Sequence, residues 1–165
     1  MKLSVIIPLY NNAASLPACI NSLALQGIDR EEYEVIIVDD GSTDNTKQLV
    51  IDTFNLKRDF TRPIKIKVPC RQINEIYTGI YKGRSITLIS KENGGCKADA
   101  VNAGLNVCAY PYFVNMDADE ILQKDALKKA MITMLADDNV VAVGGNLKMS
   151  NYVEFENAMP VRMEF

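Results

Sequence analysis

The sequence predicts an α/β protein of Rossmann-like type, with three αβα layers and a mainly parallel central sheet. Two observations carry that expectation. Apolar runs of strand length alternate with stretches of helical period, in the order β-α-β-α-β-α-β-α-β and without internal repeat, which calls for right-handed crossovers. The second run, Tyr33 to Val38, is too apolar to alternate, as suits a strand buried on both faces of a parallel sheet.

At 165 residues the chain fits a single domain, 1–165, with room for a real core. A hydrophobic fraction of 48% and a charged fraction of 24% are those of an ordinary globule. The net charge of -3 comes with no basic patch, so no nucleic-acid partner is expected. No apolar run approaches the ~18 residues of a membrane span, and Met1-Lys2-Leu3 leads into a strand instead of a signal peptide. Cys19, Cys70, Cys96 and Cys108 show no CxxC spacing and histidine is absent, which argues against structural zinc. Cys19 and Cys108 fall on apolar helix faces and are expected as buried thiols, while Cys96 lies in a glycine turn. Reduced thiols in a cytosolic domain account for all four. The missing histidine also removes the usual triads and the commonest general base.

Leu3 to Tyr10 reads as the first strand, leaving the sheet at Pro8. Ser15 can cap a helix with Leu16, Cys19, Ile20 and Leu23 on one face, ended by Gln26-Gly27. Tyr33 to Val38 is the second strand. It runs into Asp39-Asp40-Gly41-Ser42-Thr43-Asp44, where Gly41 permits a sharp turn and Thr43 or Asp44 can cap a helix carrying Leu49, Val50 and Phe54. An acid here either accepts hydrogen bonds from a base N–H or a ribose hydroxyl, or serves only as a cap.

Pro63 to Val68 alternates like an edge strand, and Ile76 to Arg84 suits a hairpin or a loop over a site. Ile86 to Ile89 is the third interior strand. Asn93-Gly94-Gly95-Cys96-Lys97 then opens a helix whose Ala98, Val101, Leu105 and Cys108 are spaced for one buried face. Glycines admit close backbone approach, and a helix N-terminus with Lys97 favours a diphosphate. Leu127, Ala130, Met131 and Met134 mark a further helix, and Val140 to Val143 a fifth strand stopped by Gly144-Gly145. From Asn146 to Phe165 no strong helix appears.

Tyr112 to Met116 is a short β-branched and aromatic run that suits a buried strand, ending in Asp117-Ala118-Asp119. If the backbone stays extended, both carboxylates leave on one side, about 6 to 7 Å apart along the chain. Like charges so close raise each other's pKa unless a cation intervenes. Mg²⁺ or Mn²⁺, held by one or two carboxylates and completed by substrate phosphates, would satisfy them. The competing reading is a solvated turn whose second Asp caps a helix starting near Gln123.

Four segments together, Val5 to Asn11, Val35 to Asp44, Asn93 to Leu105 and Asp117 to Asp119, resemble the nucleotide-sugar-binding part of a family 2 glycosyltransferase with a GT-A fold. The pattern looks closest to membrane polysaccharide synthases. The resemblance implies a nucleotide-diphosphate sugar donor, a UDP-sugar in the first instance, and inverting transfer to an acceptor hydroxyl of a saccharide or lipid-linked acceptor. It places Pro8 and Tyr10 against the base, Asp40 (with Asp39 as the alternative) on uracil and Lys97 on the diphosphate. It also places Asp117 near the ribose or sugar, Ala118 beside it and Asp119 as principal metal ligand. Asn12 stands where the family often has glutamate, and Cys96 separates Gly95 from Lys97. No stretch matches the family's base motif or its Gln-x-x-Arg-Trp acceptor motif. The expectation is therefore a donor-binding half, cytoplasmic and joined to any membrane only through a longer parent. A sugar nucleotidyltransferase and a receiver-like signalling domain are the rival readings.

Overall fold

The computed structural model describes residues 2–65, 68–146, 153–156 and 159–163. In chain order the elements are β1 (Leu3–Leu9), α1 (Leu16–Ser22) with a 3-10 turn (Leu23–Leu25), β2 (Tyr33–Asp39), α2 (Thr46–Phe54), β3 (Lys57–Arg58), β4 (Ile73–Tyr81), β5 (Arg84–Lys91), α3 (Lys97–Val107), β6 (Tyr112–Asn115), α4 (Ala126–Leu135), β7 (Val153–Glu156) and β8 (Met159–Met163). They fall into two compact units, residues 1–16 with 29–118, and residues 17–28 with 119–165.

The first unit is built on a six-stranded sheet in the order β3-β4-β5-β2-β1-β6. The four strands β5, β2, β1 and β6 are mutually parallel, and β4 and β3 extend one edge antiparallel. Every residue of β2 is buried, as the apolar run Val35 to Val38 predicts, and the burial extends to Glu34 and Asp39. Pro8 is tolerated within β1 because β6 pairs only as far as Ile6 with Asn115, leaving the proline beyond its neighbour's end.

Helix α3 covers one face of this sheet, where Ala100, Ala103 and Val107 pack with Ile6, Ile36, Val38 and Ile89. Its buried side is 100, 103, 104 and 107, whereas Ala98 is exposed and Val101 and Leu105 are only half-buried. The sequence reading was thus rotated, because close packing selected the small residues. At Gly104 a Cβ would lie 2.6 Å from Ile6 Cγ2. On the opposite face Phe54 of α2 meets Tyr81 edge-on, with ring centroids 4.9 Å apart.

Residues 73–91 form the hairpin, turning at Lys82-Gly83, and extend the sheet edge instead of covering a site. The edge strand expected at 63–68 does not form over the described residues 63–65 and 68; Ile66 and Lys67 lie outside them. Backbone donors there are taken by Asn106: Lys65 N–H donates to its carbonyl at 2.7 Å and Val68 N–H to its Oδ1 at 3.1 Å. At the amino edge, buried Glu34 accepts from Ser4 Oγ and Ala109 N–H, both at 2.7 Å, and pairs with Arg62 at 2.6 Å.

In the second unit, buried Gln26 ties 17–28 to 119–127. Its Nε2 donates to the carbonyls of Ser22 and Gln123, and its Oε1 accepts Leu127 N–H at 2.9 Å. Leu127 and Met131 are the buried residues of α4. The strand expected at 140–143 is absent: residues 140–146 have no regular structure and Val141 is 91% exposed. Four apolar residues make a strand only where a neighbour completes the ladder, and among the described residues none does. Strands β7 and β8 pair antiparallel. No helix among the described residues is long and apolar enough to cross a membrane.

Candidate functional site

Because β1, β2, β5 and β6 run parallel, the segments that follow them emerge at one rim of the sheet. In the first unit they enclose an open cleft of about 420 Å³. Pro8, Leu9 and Tyr10 come from the end of β1, Asp40 from the turn after β2, and Asp117 from the residues after β6. Asn93, Gly95, Cys96 and Lys97 supply the loop between β5 and α3, with Ala100 in the first turn of the helix.

The turns are held to one another by hydrogen bonds. Asn11, in the left-handed region at φ 49°, accepts Thr43 N–H at 2.9 Å and donates Nδ2–H to Thr43 Oγ1 at 3.2 Å. Its own N–H donates to Ser42 Oγ at 3.0 Å. Asn93 Nδ2 donates to the Asp40 carbonyl at 2.8 Å. Gly41 adopts φ +69°, and a Cβ on it would stand 2.7 Å from Asn93 N, so the two turns touch through a position only glycine fills.

Charge at the rim is paired. Lys91, at the end of β5 and 1% exposed, pairs with Asp40 and lies 2.6 Å from Asp99 Oδ2. Burial, the strongest influence on Lys91, pushes its pKa down. Hydrogen bonds and charge from Asp40 and Asp99 outweigh it, and the ammonium is held above the ordinary lysine range. Lys97 pairs with Asp117, both about half-exposed. Such a pair contributes roughly 0–1 kcal/mol and is easily exchanged.

Of the residues expected at the site, Pro8, Tyr10, Asp40, Lys97 and Asp117 line the cleft. Asn12, Asp39, Ala118 and Asp119 are not among its lining residues. Asn12 Oδ1 accepts Ser15 Oγ–H at 3.0 Å, and Ser15 turns to that contact. Asp39 is buried on the face opposite Asp40, where its Oδ1 accepts Ser42 N–H at 3.2 Å. Ala118 is buried, and Asp119 is exposed and belongs to the second unit. Asp119 does not cap a helix near Gln123, because α4 starts only at Ala126.

Sequence reasoning missed Lys91 and Asp99 as members of the rim. The available signal was a lysine closing the strand that holds Ile86, Leu88 and Ile89, just before Asn93-Gly94-Gly95. A divalent cation was also implied. Among the described residues no cluster of three or more His, Cys, Asp or Glu could hold one. The donors present are hard carboxylate oxygens, half-exposed in the case of Asp117, which fits an ion that takes its remaining ligands from phosphate and water.

The family model described as glycosyl transferase family 2 matches residues 4–163. The poly(ribitol-phosphate) beta-N-acetylglucosaminyltransferase TarS of Staphylococcus aureus strain Mu50 is 30% identical over 130 residues, 79% of this chain and 18% of that protein. Chondroitin synthase of Pasteurella multocida strain Pm70 is 29% identical over 140 residues, 85% of this chain and 12% of that protein. The chain therefore spans less than a fifth of the length of these two curated relatives. Among solved structures, S. aureus TarS 1-349 in complex with UDP-GlcNAc superposes with a TM-score of 0.58 at 25% identity, covering 81% of this chain and 31% of that one. The architecture is accordingly GT-A, and a match running through nearly the whole chain establishes that it belongs to glycosyl transferase family 2.

Proposed function

We propose that the cleft binds a nucleotide-diphosphate sugar, a UDP-sugar in the first instance, and that the chain is the donor-binding part of a glycosyltransferase of polysaccharide synthesis. One observation carries this reading. Segments from four parallel strands and the N-terminus of α3 converge on a single cleft that offers an aromatic ring, an acceptor carboxylate and a cation. The names of the relatives support it, since one acts on poly(ribitol phosphate) and another makes chondroitin, and TarS was crystallised with UDP-GlcNAc.

Pro8 and the half-exposed Tyr10 ring lie against the base, and Asp40 accepts its N–H. Lys97 at the start of α3 takes the diphosphate, helped by the partial positive charge of the helix end. Asp117 approaches the ribose or sugar and, with Asp119 two residues along the chain, supplies carboxylates to Mg²⁺ or Mn²⁺. When bound, that ion would neutralise charge gathering on the departing diphosphate. In the inverting reaction an acceptor hydroxyl oxygen bonds to the anomeric carbon as the bond to the diphosphate breaks. The hydroxyl proton passes to a carboxylate base, a role to which no residue here is assigned.

Calorimetric titration with UDP in the presence of Mn²⁺ tests the reading. Saturable heat is expected from the wild type, and Asp119→Ala is expected to lose the metal-dependent part of the affinity. A wild-type chain that takes up no UDP sinks the proposal.

A further inference from the structure

Lys91 is expensive where it stands. Its ammonium is buried at the end of a buried strand, and it takes Asp40, Asp99 and the Glu92 carbonyl to satisfy it. Well-packed apolar residues often replace such buried ion clusters without loss of stability, so stability alone gives no reason for the lysine.

The two oxygens of Asp40 have different surroundings. Oδ1 receives both Lys91 and the Gly94 N–H, the latter at 3.1 Å. Oδ2 receives no hydrogen bond among the described residues, yet it is not sealed in, because Thr87 Oγ1 is the only buried side-chain polar atom among them that lacks a partner. Since Asp40 lines the cleft, Oδ2 is the oxygen it can offer to a ligand. Turning the carboxylate so as to withdraw Oδ2 would break both contacts at Oδ1. Asp99 anchors the lysine in turn: it accepts Arg71 N–H at 3.0 Å, and a Cβ on Gly94 would stand 2.3 Å from its Oδ2.

We propose that Lys91, anchored by Asp99, is a positioning residue that fixes Asp40 Oδ2 as an acceptor in the cleft and so makes the site select nucleobases that present a ring N–H. This rests on the nucleotide reading of the cleft. Uracil N3 carries a proton that Oδ2 can accept, whereas cytosine presents a lone pair at N3 that a carboxylate repels. A lysine that served the fold alone would change stability and leave the preference between the two bases unchanged.

The test is calorimetric binding of UDP and of CDP, each with Mn²⁺, to the 165-residue chain, Lys91→Met and Asp99→Asn, with thermal melts to establish folding. The wild type is expected to favour UDP by roughly tenfold or more, the worth of one hydrogen bond to a charged group. In Lys91→Met the ratio falls towards one, while inorganic pyrophosphate with Mn²⁺ binds within about twofold of wild type, because the diphosphate contacts are untouched. Asp99→Asn preserves volume and decides the matter if Lys91→Met does not fold; its ratio falls by roughly threefold, since the lysine keeps one of its two carboxylates. A wild type without base preference, or a folded variant that keeps the wild-type ratio, overturns the inference and leaves the nucleotide reading standing. A wild type that binds neither nucleotide overturns both.

Discussion

Asp39 and Asp99 both lie next to the rim but shift in opposite directions, and their partners explain why. Burial is the largest influence on Asp39 and raises its pKa, only partly offset by hydrogen bonds from Ser42 and the charge of Lys47. The folded chain then holds that proton more tightly than the unfolded chain, so ionised Asp39 lowers stability at neutral pH, and the cost fades as pH falls through the raised folded pKa and is gone below the ordinary carboxylate value. For Asp99 burial also raises the pKa, but Lys91 and the Arg71 N–H together overcome it and bring it below the usual value. Its contribution is present above the ordinary carboxylate pKa and is lost as pH falls through the folded one. Scanning calorimetry of Asp39→Asn, which keeps an acceptor for Ser42, should therefore show a higher midpoint at neutral pH. Asp99→Asn should show a lower one, and both differences should shrink towards about pH 3. An Asp39→Asn midpoint at or below wild type would contradict the burial argument. The acidic turn itself was legible in the sequence, but which aspartate faces the cleft is decided by the pleat, which sends neighbours to opposite faces. Lys91 was not legible as a partner of Asp40 because the two are 51 residues apart in the chain.

The elements were legible where burial alone defines them. The runs of β1, β2 and β5 were read correctly, since a strand covered on both faces has little choice of composition, whereas β6, expected to be buried, is an edge strand whose Phe113 is 50% exposed. Readings that depended on a neighbour failed. The run at 140–143 finds no strand to pair with among the described residues, and the backbone N–H groups of Lys65 and Val68 are claimed by Asn106. The face of α3 was misjudged because periodicity was weighed by hydrophobicity, whereas the close approach to β1 was set by size. Gly104 shows which effect wins. Alanine is favoured over glycine within a helix by about 1 kcal/mol. Here, however, its Cβ would stand 2.6 Å from Ile6 Cγ2, a side chain packed in the buried core with little room to move. Overpacking of that kind costs about 1–3 kcal/mol. Gly104→Ala is thus expected to lower the urea midpoint despite the better helix propensity; a higher midpoint would mean that α3 shifts on the sheet at little cost.

At the scale of the molecule, parallel strands bring to one rim residues that are far apart in sequence, and the charges gathered there are already matched before any ligand arrives. Lys97 and Asp117 neutralise each other in the cleft, although the proposed function assigns one to a diphosphate and the other to a cation. Binding then requires an exchange in which Lys97 leaves Asp117 for phosphate and the carboxylate is released for the ion. At half exposure the pair is worth roughly 0–1 kcal/mol, so the exchange costs little, but each ligand prepares the site for the other. Linkage requires the factor by which Mn²⁺ strengthens UDP binding to equal the factor by which UDP strengthens Mn²⁺ binding. Lys97→Met removes one cation that competes for Asp117. It should tighten Mn²⁺ binding without nucleotide by about two- to fivefold, weaken UDP binding and shrink the shared coupling factor, all readable by titrating each ligand with and without the other. If Mn²⁺ affinity in Lys97→Met stays at the wild-type value while UDP binding weakens, Asp117 is not a cation ligand and the lysine serves the diphosphate alone.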